Sequence, residues 1–303
     1  MRICIFGAGA LGSALGGMLT HEHDVILIGR KSHVDAIRKS GLLINGDLRG
    51  RFKPYAFTNV SGLEPPELLL ITTKAYDTRN AVRECQDWIK RSTSVLTLQN
   101  GLGNLELVEE WVGTRAFGGT TTLGATMVGP GKIRVSGLGR TILGSTKNPA
   151  GAKTLATAFH ASGIPAAYTM DIVTEIWRKA IVSACINPIT AVLRVPNGKL
   201  LESKTTSRLV QALSVECETI ARACGVGFPQ GSTYPRVRAV LKETARNLSS
   251  MLQDVSRGKR TEIDQINGAF WRSAQDHALP APLNRALVAL VLTLEARRRK
   301  QKG

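Results

Sequence analysis

The sequence predicts an α/β domain built on a parallel sheet over residues 1–168, followed by an all-α domain over residues 169–303. Three observations predict it. Short β-rich apolar runs alternate with helix-like stretches up to about residue 166, the pattern of a parallel sheet with helices on both faces. Strand signals stop near Asp171, and long stretches of helical period take over. The chain has 303 residues, of which 43% are apolar, enough for two cores.

The expected strands are Arg2–Phe6, Asp24–Ile28, Leu68–Thr72, Ser94–Leu98, Ala116–Thr121, Thr141–Leu143 and a short Ala166–Tyr168. The expected helices between them are Ala10–Thr20, Ser32–Lys39, Thr78–Lys90, Asn104–Trp111 and Ala150–Ala161. The irregular stretch Gly41–Asn59 suits a small hairpin. Further helices are expected at about 171–191, 205–224, 231–247, 262–277 and 283–299, and the domain boundary falls near Pro165–Asp171.

Composition narrows the function classes. No run of about 20 apolar residues suggests a membrane span, and Gly7, Gly9 and Gly12 interrupt any leader-like N-terminus. The five cysteines form no C-x-x-C pair, and the five histidines have no zinc-ligand spacing, so neither a disulfide framework nor a metal site is expected. The expected compartment is the cytoplasm. The net charge of +17 is spread along the chain, dense only at Arg297-Arg298-Arg299-Lys300 and Lys302, with few aromatic residues interleaved. That pattern reads as a basic surface able to steer anionic small molecules, without a specific nucleic-acid site.

The strongest local signal is Gly7-Ala8-Gly9-Ala10-Leu11-Gly12. This G-x-G-x-x-G follows a strand and opens an apolar helix, the context in which it binds a dinucleotide. The first glycine permits the turn, the second lets backbone approach a pyrophosphate, and the third lets helix and strand pack closely. The domain is therefore of Rossmann type. An NAD enzyme places an acid at the end of the second strand to hold the ribose 2′-hydroxyl. Here Gly29-Arg30-Lys31 stands there instead, and Arg30 suits a 2′-phosphate, so the reading is NADPH/NADP+. Two further strand ends carry Thr73-Lys74 and Gln99-Asn100-Gly101, which face the ligand edge of an open sheet.

In the helix at 171–191, two rows at i, i+4 spacing are apolar: Ile172, Ile176, Ala180, Ala184, and Val173, Trp177, Ile181, Cys185, Ile189. A third row reads Glu175, Lys179, Ser183, Asn187. A lysine partly buried along such a line has a lowered pKa and suits a general acid. The bland alternative is an exposed Glu175–Lys179 pair, with Asn187-Pro188 marking only a kink. Later in the chain, Thr261 and Asp264 suit the cap of the next helix, with Glu262 either helping its positive end or facing the cofactor and Lys179.

Taken together, these segments resemble the ketopantoate reductase (2-dehydropantoate 2-reductase) family over nearly the whole chain. The resemblance rests on the glycine turn, Lys74, Leu98-Gln99-Asn100-Gly101, Gly119-Thr120-Thr121-Thr122, Trp177-Arg178-Lys179, Ile186-Asn187-Pro188-Ile189-Thr190-Ala191, Pro196-Asn197-Gly198, Ser249 through Asp254, and Arg260-Thr261-Glu262-Ile263-Asp264. It implies a Rossmann-type domain joined to an all-α domain like the C-terminal domain of 6-phosphogluconate dehydrogenase, with the site in the cleft between them. It also implies NADPH-dependent reduction of 2-dehydropantoate to (R)-pantoate on the route to pantothenate and coenzyme A. By the same resemblance Lys179 is the general acid. Gly7, Ala8, Gly9, Ala10, Leu11, Gly12, Arg30, Lys74, Asn100, Ala125 and Glu262 contact the cofactor, and Asn100, Lys179, Ser183, Asn187, Asn197 and Ser250 contact the substrate. One position departs from the family, which usually has asparagine where this chain has Ser183; a hydroxyl presents a different donor–acceptor set. The alternatives are a reductase of another branched 2-oxo acid, a 3-hydroxyacid dehydrogenase of the 6-phosphogluconate type, or a non-catalytic NADPH sensor. A homodimer is among the assemblies this reading allows.

Overall fold

A computed structural model describes the backbone of residues 1–300 and the side chains of residues 1–297; the basic cluster expected beyond Arg297 lies outside the described side chains. The chain divides into two compact units, Met1–Gln99 with Asn104–Glu175, and Asn100–Gly103 with Ile176–Gly303.

The first unit carries β1 (Arg2–Phe6), α1 (Ala10–Leu19), β2 (Asp24–Ile28), α2 (Lys31–Ser40), β3 (Leu42–Gly46), β4 (Gly50–Phe52), β5 (Tyr55–Phe57), β6 (Leu68–Ile71), α3 (Thr78–Cys85), β7 (Ser94–Thr97), α4 (Asn104–Val112), β8 (Ala116–Thr121), β9 (Ala125–Gly129), β10 (Lys132–Val135), β11 (Thr141–Gly144), α5 (Pro149–Ala161) and β12 (Ala166–Tyr168). Eight strands form the main sheet in the order β12-β11-β8-β7-β6-β1-β2-β5. All four residues of β6 are buried, as are four of the five in β1, because helices cover both faces.

Four features of this unit differ from the expectation. The sheet is not wholly parallel, since β11 runs antiparallel to β8. The Gly41–Asn59 stretch does hold a hairpin, β3 with β4, but β5 leaves it to pair with β2. The hairpin joins β10 and β9 in a second, four-stranded sheet that the sequence pattern did not reveal. Its inward side chains, Ile44, Ile133 and Val135, are fully buried or nearly so and belong to the main core. The helix expected to reach Lys90 stops at Cys85, and a turn follows it.

The second unit is helical: α6 (Ile172–Leu193), α7 (Lys199–Glu202), α8 (Lys204–Ala223), α9 (Thr233–Glu243), α10 (Ser250–Ser256), α11 (Asn267–Asp276) and α12 (Pro282–Lys300). The apolar rows of α6 are core from Trp177 onward, with Ala180, Ile181, Ala184, Cys185 and Ile189 at most 3% exposed, while Val173 and Ile176 nearer its start are half-buried. Trp177 meets the ring of Phe270 in α11 edge-on at 5.4 Å. By length and mean hydropathy (1.2) α6 comes nearer to a membrane span than expected, and 56% of its most apolar stretch is buried inside the protein. Two helices went unforeseen, α7 and α10, both too short to show a period. The helix expected from 262 starts only at Asn267. Thr261 does not cap it, because its Oγ1 instead accepts the Ile263 N–H at 3.2 Å, and residues 263–266 form a turn.

Candidate active site

The parallel registers level four strand ends. Phe6 pairs with Ile28 and Ile71, and Ile71 with Thr97, so β1, β2, β6 and β7 all finish at one edge. The glycine turn, Gly29-Arg30, Thr72–Lys74 and Leu98-Gln99 leave from that edge, where ligands of open α/β sheets bind.

The turn is tied down from both sides. The N–H groups of Gly7 and Ala8 donate to Ile28 O at 3.0 and 2.8 Å, and Thr72 Oγ1 donates to Gly7 O at 2.9 Å. Gly7 has φ +112°, and a side chain there would strike the Thr73 backbone. A side chain at Gly12 would strike Gly7 O and Thr72 Oγ1. Gly9 is different: a Cβ there would meet nothing nearer than Gly7 O at 3.9 Å, so its outer face is open. Gly9 is also the N-cap of α1, offers no capping side chain, and no acid lies in the first turn of Ala10, Leu11 and Gly12. An uncapped helix start beneath an open glycine is a cradle for a phosphate anion. Arg30 is exposed at the N-cap of α2, with no acid in the first turn of that helix. Ala125 opens β9 and is half-buried against the core.

Lys74 leads into a short 3-10 turn, Ala75–Asp77, and its backbone is set by a residue given no role above. Gln99 Nε2 donates to Thr73 O at 3.0 Å and to Thr78 Oγ1 at 2.8 Å, while its Oε1 accepts from Thr97 Oγ1 at 2.9 Å. Gln99 thus clamps the Thr73-Lys74 loop to the end of β7. Its signal was its place beside Asn100; its partners Thr73 and Thr78 lie more than twenty residues away and could not be read from sequence.

In the second unit, Asn100, Lys179 and Glu262 come together. Gly101 has φ +88° and sits so close to Gln265 O that no side chain fits, and the Leu102 N–H donates to that same oxygen at 3.0 Å. This seats Asn100 on the 262–266 turn, where its Nδ2 donates to Glu262 Oε2 at 3.3 Å. Glu262 is 5% exposed. The turn is held from α12, whose buried Glu295 accepts the Thr261 N–H at 2.8 Å. The residue Lys179 is half-buried, yet its ammonium is deep enough that burial pushes its pKa down to about 8, with the Glu262 carboxylate pulling the other way. The whole row Glu175, Lys179, Ser183, Asn187 is half-buried, neither core nor open surface.

The remaining expected residues spread along the helices. Thr190 Oγ1 lies 2.7 Å from Ser249 Oγ, and Ser249 caps α10, which brings the exposed Ser250 to α6 within a turn of Asn187. Asn197 is 7% exposed. Its Nδ2 donates to Thr244 Oγ1 at 2.9 Å, while its Oδ1 is buried with no hydrogen-bond partner.

The matches to known proteins divide the chain much as the geometry does. Residues 3–148 match the family model described as "Ketopantoate reductase PanE/ApbA", and residues 171–295 match that of its C-terminal domain. A 2-dehydropantoate 2-reductase of Pyrococcus horikoshii is 39% identical over 98% of this chain and 98% of its own. The chain belongs to the ketopantoate reductase family. Among solved structures, the ketopantoate reductase from Ralstonia eutropha JMP134 superposes with a TM-score of 0.92 at 32% identity, over 99% of this chain and 100% of that one. D-mandelate dehydrogenase, solved with NADH and anilino(oxo)acetate, superposes with a TM-score of 0.93 at 30% identity over the same shares. The fold is thus shared by proteins named for ketopantoate reduction and by one named for mandelate oxidation and solved with NADH.

Proposed function

We propose that this protein reduces 2-dehydropantoate to (R)-pantoate with NADPH in the cytoplasm, on the route to pantothenate and coenzyme A. Residues 1–168 serve as the cofactor domain and 169–303 as the catalytic domain. The observation that carries the reading is Lys179, a partly buried lysine whose pKa burial lowers to about 8, beside Glu262 in a chain of this family. Bound NADPH supplies a hydride to the substrate's carbonyl carbon. Lys179 points its charge at the carbonyl oxygen, stabilises the alkoxide as it forms, and gives up its proton there. Glu262 keeps Lys179 charged at neutral pH against the effect of burial. Asn100, bonded to Glu262, lies where cofactor and substrate meet. Gly7 through Gly12 and Lys74 hold the phosphates, Arg30 the 2′-phosphate, and Ala125 and Glu262 line the remainder of the cofactor. Ser183, Asn187 and Ser250 hold the substrate's carboxylate and hydroxyl groups, and the unpartnered Asn197 Oδ1 is the acceptor for a substrate hydroxyl.

The test is NADPH oxidation by the purified protein with 2-dehydropantoate, beside a panel of branched and aromatic 2-oxo acids and NADH controls. Preference for 2-dehydropantoate with NADPH is expected, and Lys179→Ala is expected to lower turnover sharply while leaving NADPH binding nearly intact. Turnover only with a mandelate-type oxo acid would keep Lys179 and move the substrate, with Ser183 the first residue to examine. Tight NADPH binding without turnover on any acid would make the protein a sensor.

A further inference from the structure

The second unit holds a hydrogen-bonded chain of two buried amides that ends on a half-buried carboxylate. Asn267, Asn284 and Glu216 lie on α11, α12 and α8, and both asparagines are fully buried. Glu216 accepts the N–H groups of Leu283 and Asn284 at 3.0 and 2.9 Å, and the Asn284 side chain at 2.8 Å. Asn284 Oδ1 in turn accepts from Asn267 Nδ2 at 2.9 Å. The other Asn267 Nδ2 hydrogen goes to a backbone carbonyl of α6, Ala184 O, at 3.2 Å.

That carbonyl is a particular one. In an α-helix the oxygen of residue 184 takes the N–H of residue 188. Residue 188 is a proline inside α6, so this hydrogen bond cannot form. Asn267 donates to the one carbonyl that Pro188 orphans. The state of its other atom supports the same conclusion: Asn267 Oδ1 is buried with no partner. A buried polar group left unsatisfied destabilises, so this asparagine is kept for the two hydrogens on its nitrogen, and both are used.

The location gives the repair a consequence. The missing bond spans Ala184 to Pro188, so it begins just after Ser183 and encloses Asn187 of the polar row of α6, with Lys179 one turn before Ser183. Asn267 also follows directly on the turn that bears Glu262, where Ile266 N donates to Glu262 O at 3.0 Å and Gly268 N to Ile263 O at 2.9 Å. One carboxamide therefore touches the break in the helix of Lys179 and ends the turn of Glu262.

We propose that Asn267 is a positioning residue that replaces the hydrogen bond Pro188 withholds from α6, fixing the direction of Asn187 relative to Lys179 and Ser183 and the distance of the Glu262 turn from that helix. Its bearing on catalysis rests on the function proposed above; the hydrogen-bond replacement does not.

The test is a double-mutant cycle on the full chain: Asn267→Ala, Pro188→Ala and the pair, followed by amide hydrogen exchange without substrate or cofactor. Pro188→Ala returns an N–H to Ala184 O. In the native background Asn267→Ala is expected to speed exchange over residues 185–193 and 262–266 at least about tenfold, leaving α8 and α9 unchanged. In the Pro188→Ala background the same substitution is expected to change 185–193 less than about threefold. Turnover of Asn267→Ala on the preferred oxo acid is expected to fall between roughly tenfold and a hundredfold in kcat/KM, with NADPH affinity held within about twofold. Equal acceleration in both backgrounds, or none in the native one, would overturn the proposal and leave Asn267 a filler of space. Where Asn267→Ala alone does not fold, cooperative melting of the double variant supports the proposal and its failure to fold overturns it. Native protein inactive on every oxo acid would sink the proposed reaction while leaving the exchange result to stand.

Discussion

The Lys179–Glu262 pair predicts a pH dependence whose sign changes with the cause. Burial lowers the Lys179 pKa from 10.5 to about 8, and Glu262 opposes that fall. A group with that pKa is about nine-tenths protonated at pH 7, half at pH 8 and about a tenth at pH 9. Reduction requires the protonated form, so kcat for NADPH oxidation should be level up to about pH 7 and fall tenfold per unit above about 8. Oxidation of the hydroxy acid should rise through the same pH. Glu262→Gln keeps the side chain's size and removes its charge. A neighbouring carboxylate is worth about one to three pK units, so the limb should move down to about 7 or below. With a midpoint of 7, the loss at pH 8 is about fivefold and at pH 6 almost none. The assay is kcat against pH for both proteins, between roughly pH 6 and 10. A deficit in Glu262→Gln that is constant across pH would refute the reasoning, since Glu262 would then act by contact and not by charge. A limb that moves upward would refute the role given to the Glu262 charge, which raises the Lys179 pKa. Stability follows from the same shift. The folded pKa lies below the unfolded one, so the cost of burying the ammonium is present in full below about pH 8 and disappears as pH rises to 10.5. It is about 3 kcal/mol before allowance for the residue's partial exposure, and on the order of 1–2 kcal/mol after it. Thermal melting should therefore rise between pH 8 and 10.5 in the native protein, and less in Lys179→Met.

Three further outcomes are expected. Gly9→Ala should fold as the native protein does, since a Cβ there meets only Gly7 O at 3.9 Å, but should weaken NADPH binding at least about tenfold by occupying the cradle; Gly12→Ala should lower the melting temperature as well, and equal melting of the two would contradict the geometry. Arg30→Ala should weaken NADPH selectively, by about 1–3 kcal/mol for a lost charged contact, with NADH little changed; equal losses for both cofactors in titration calorimetry would remove the 2′-phosphate contact. His33 Nδ1 accepts the Gly131 N–H at 2.9 Å and its Nε2 lies 3.0 Å from Ser13 Oγ, and burial lowers its pKa below 6.5. Because the unfolded chain takes up the proton first, stability should fall as pH drops below about 6.5, and His33→Gln should flatten that part of the melting curve.

The local signals were those whose physics is local. A strand-turn-helix with three glycines declares itself because each glycine answers a backbone requirement within a few residues, and Gly7, Gly9 and Gly12 stand as that logic demands. Continuous apolar runs marked β1, β2, β6 and β7, since a strand covered on both faces must be apolar throughout. The row of Lys179, Ser183 and Asn187 was visible because helical period alone sets which residues share a face. Tertiary structure decided what depends on partners distant in sequence. The second sheet forms because β10 pairs with β3, almost ninety residues earlier, and no periodicity records a partner. Whether Lys179 was a surface ion pair or a partly buried acid was undecided by spacing, since the answer depends on a carboxylate about eighty residues later and on how much water is displaced. The same holds for Pro188: the sequence shows the missing N–H, and only the fold shows that Asn267 supplies another.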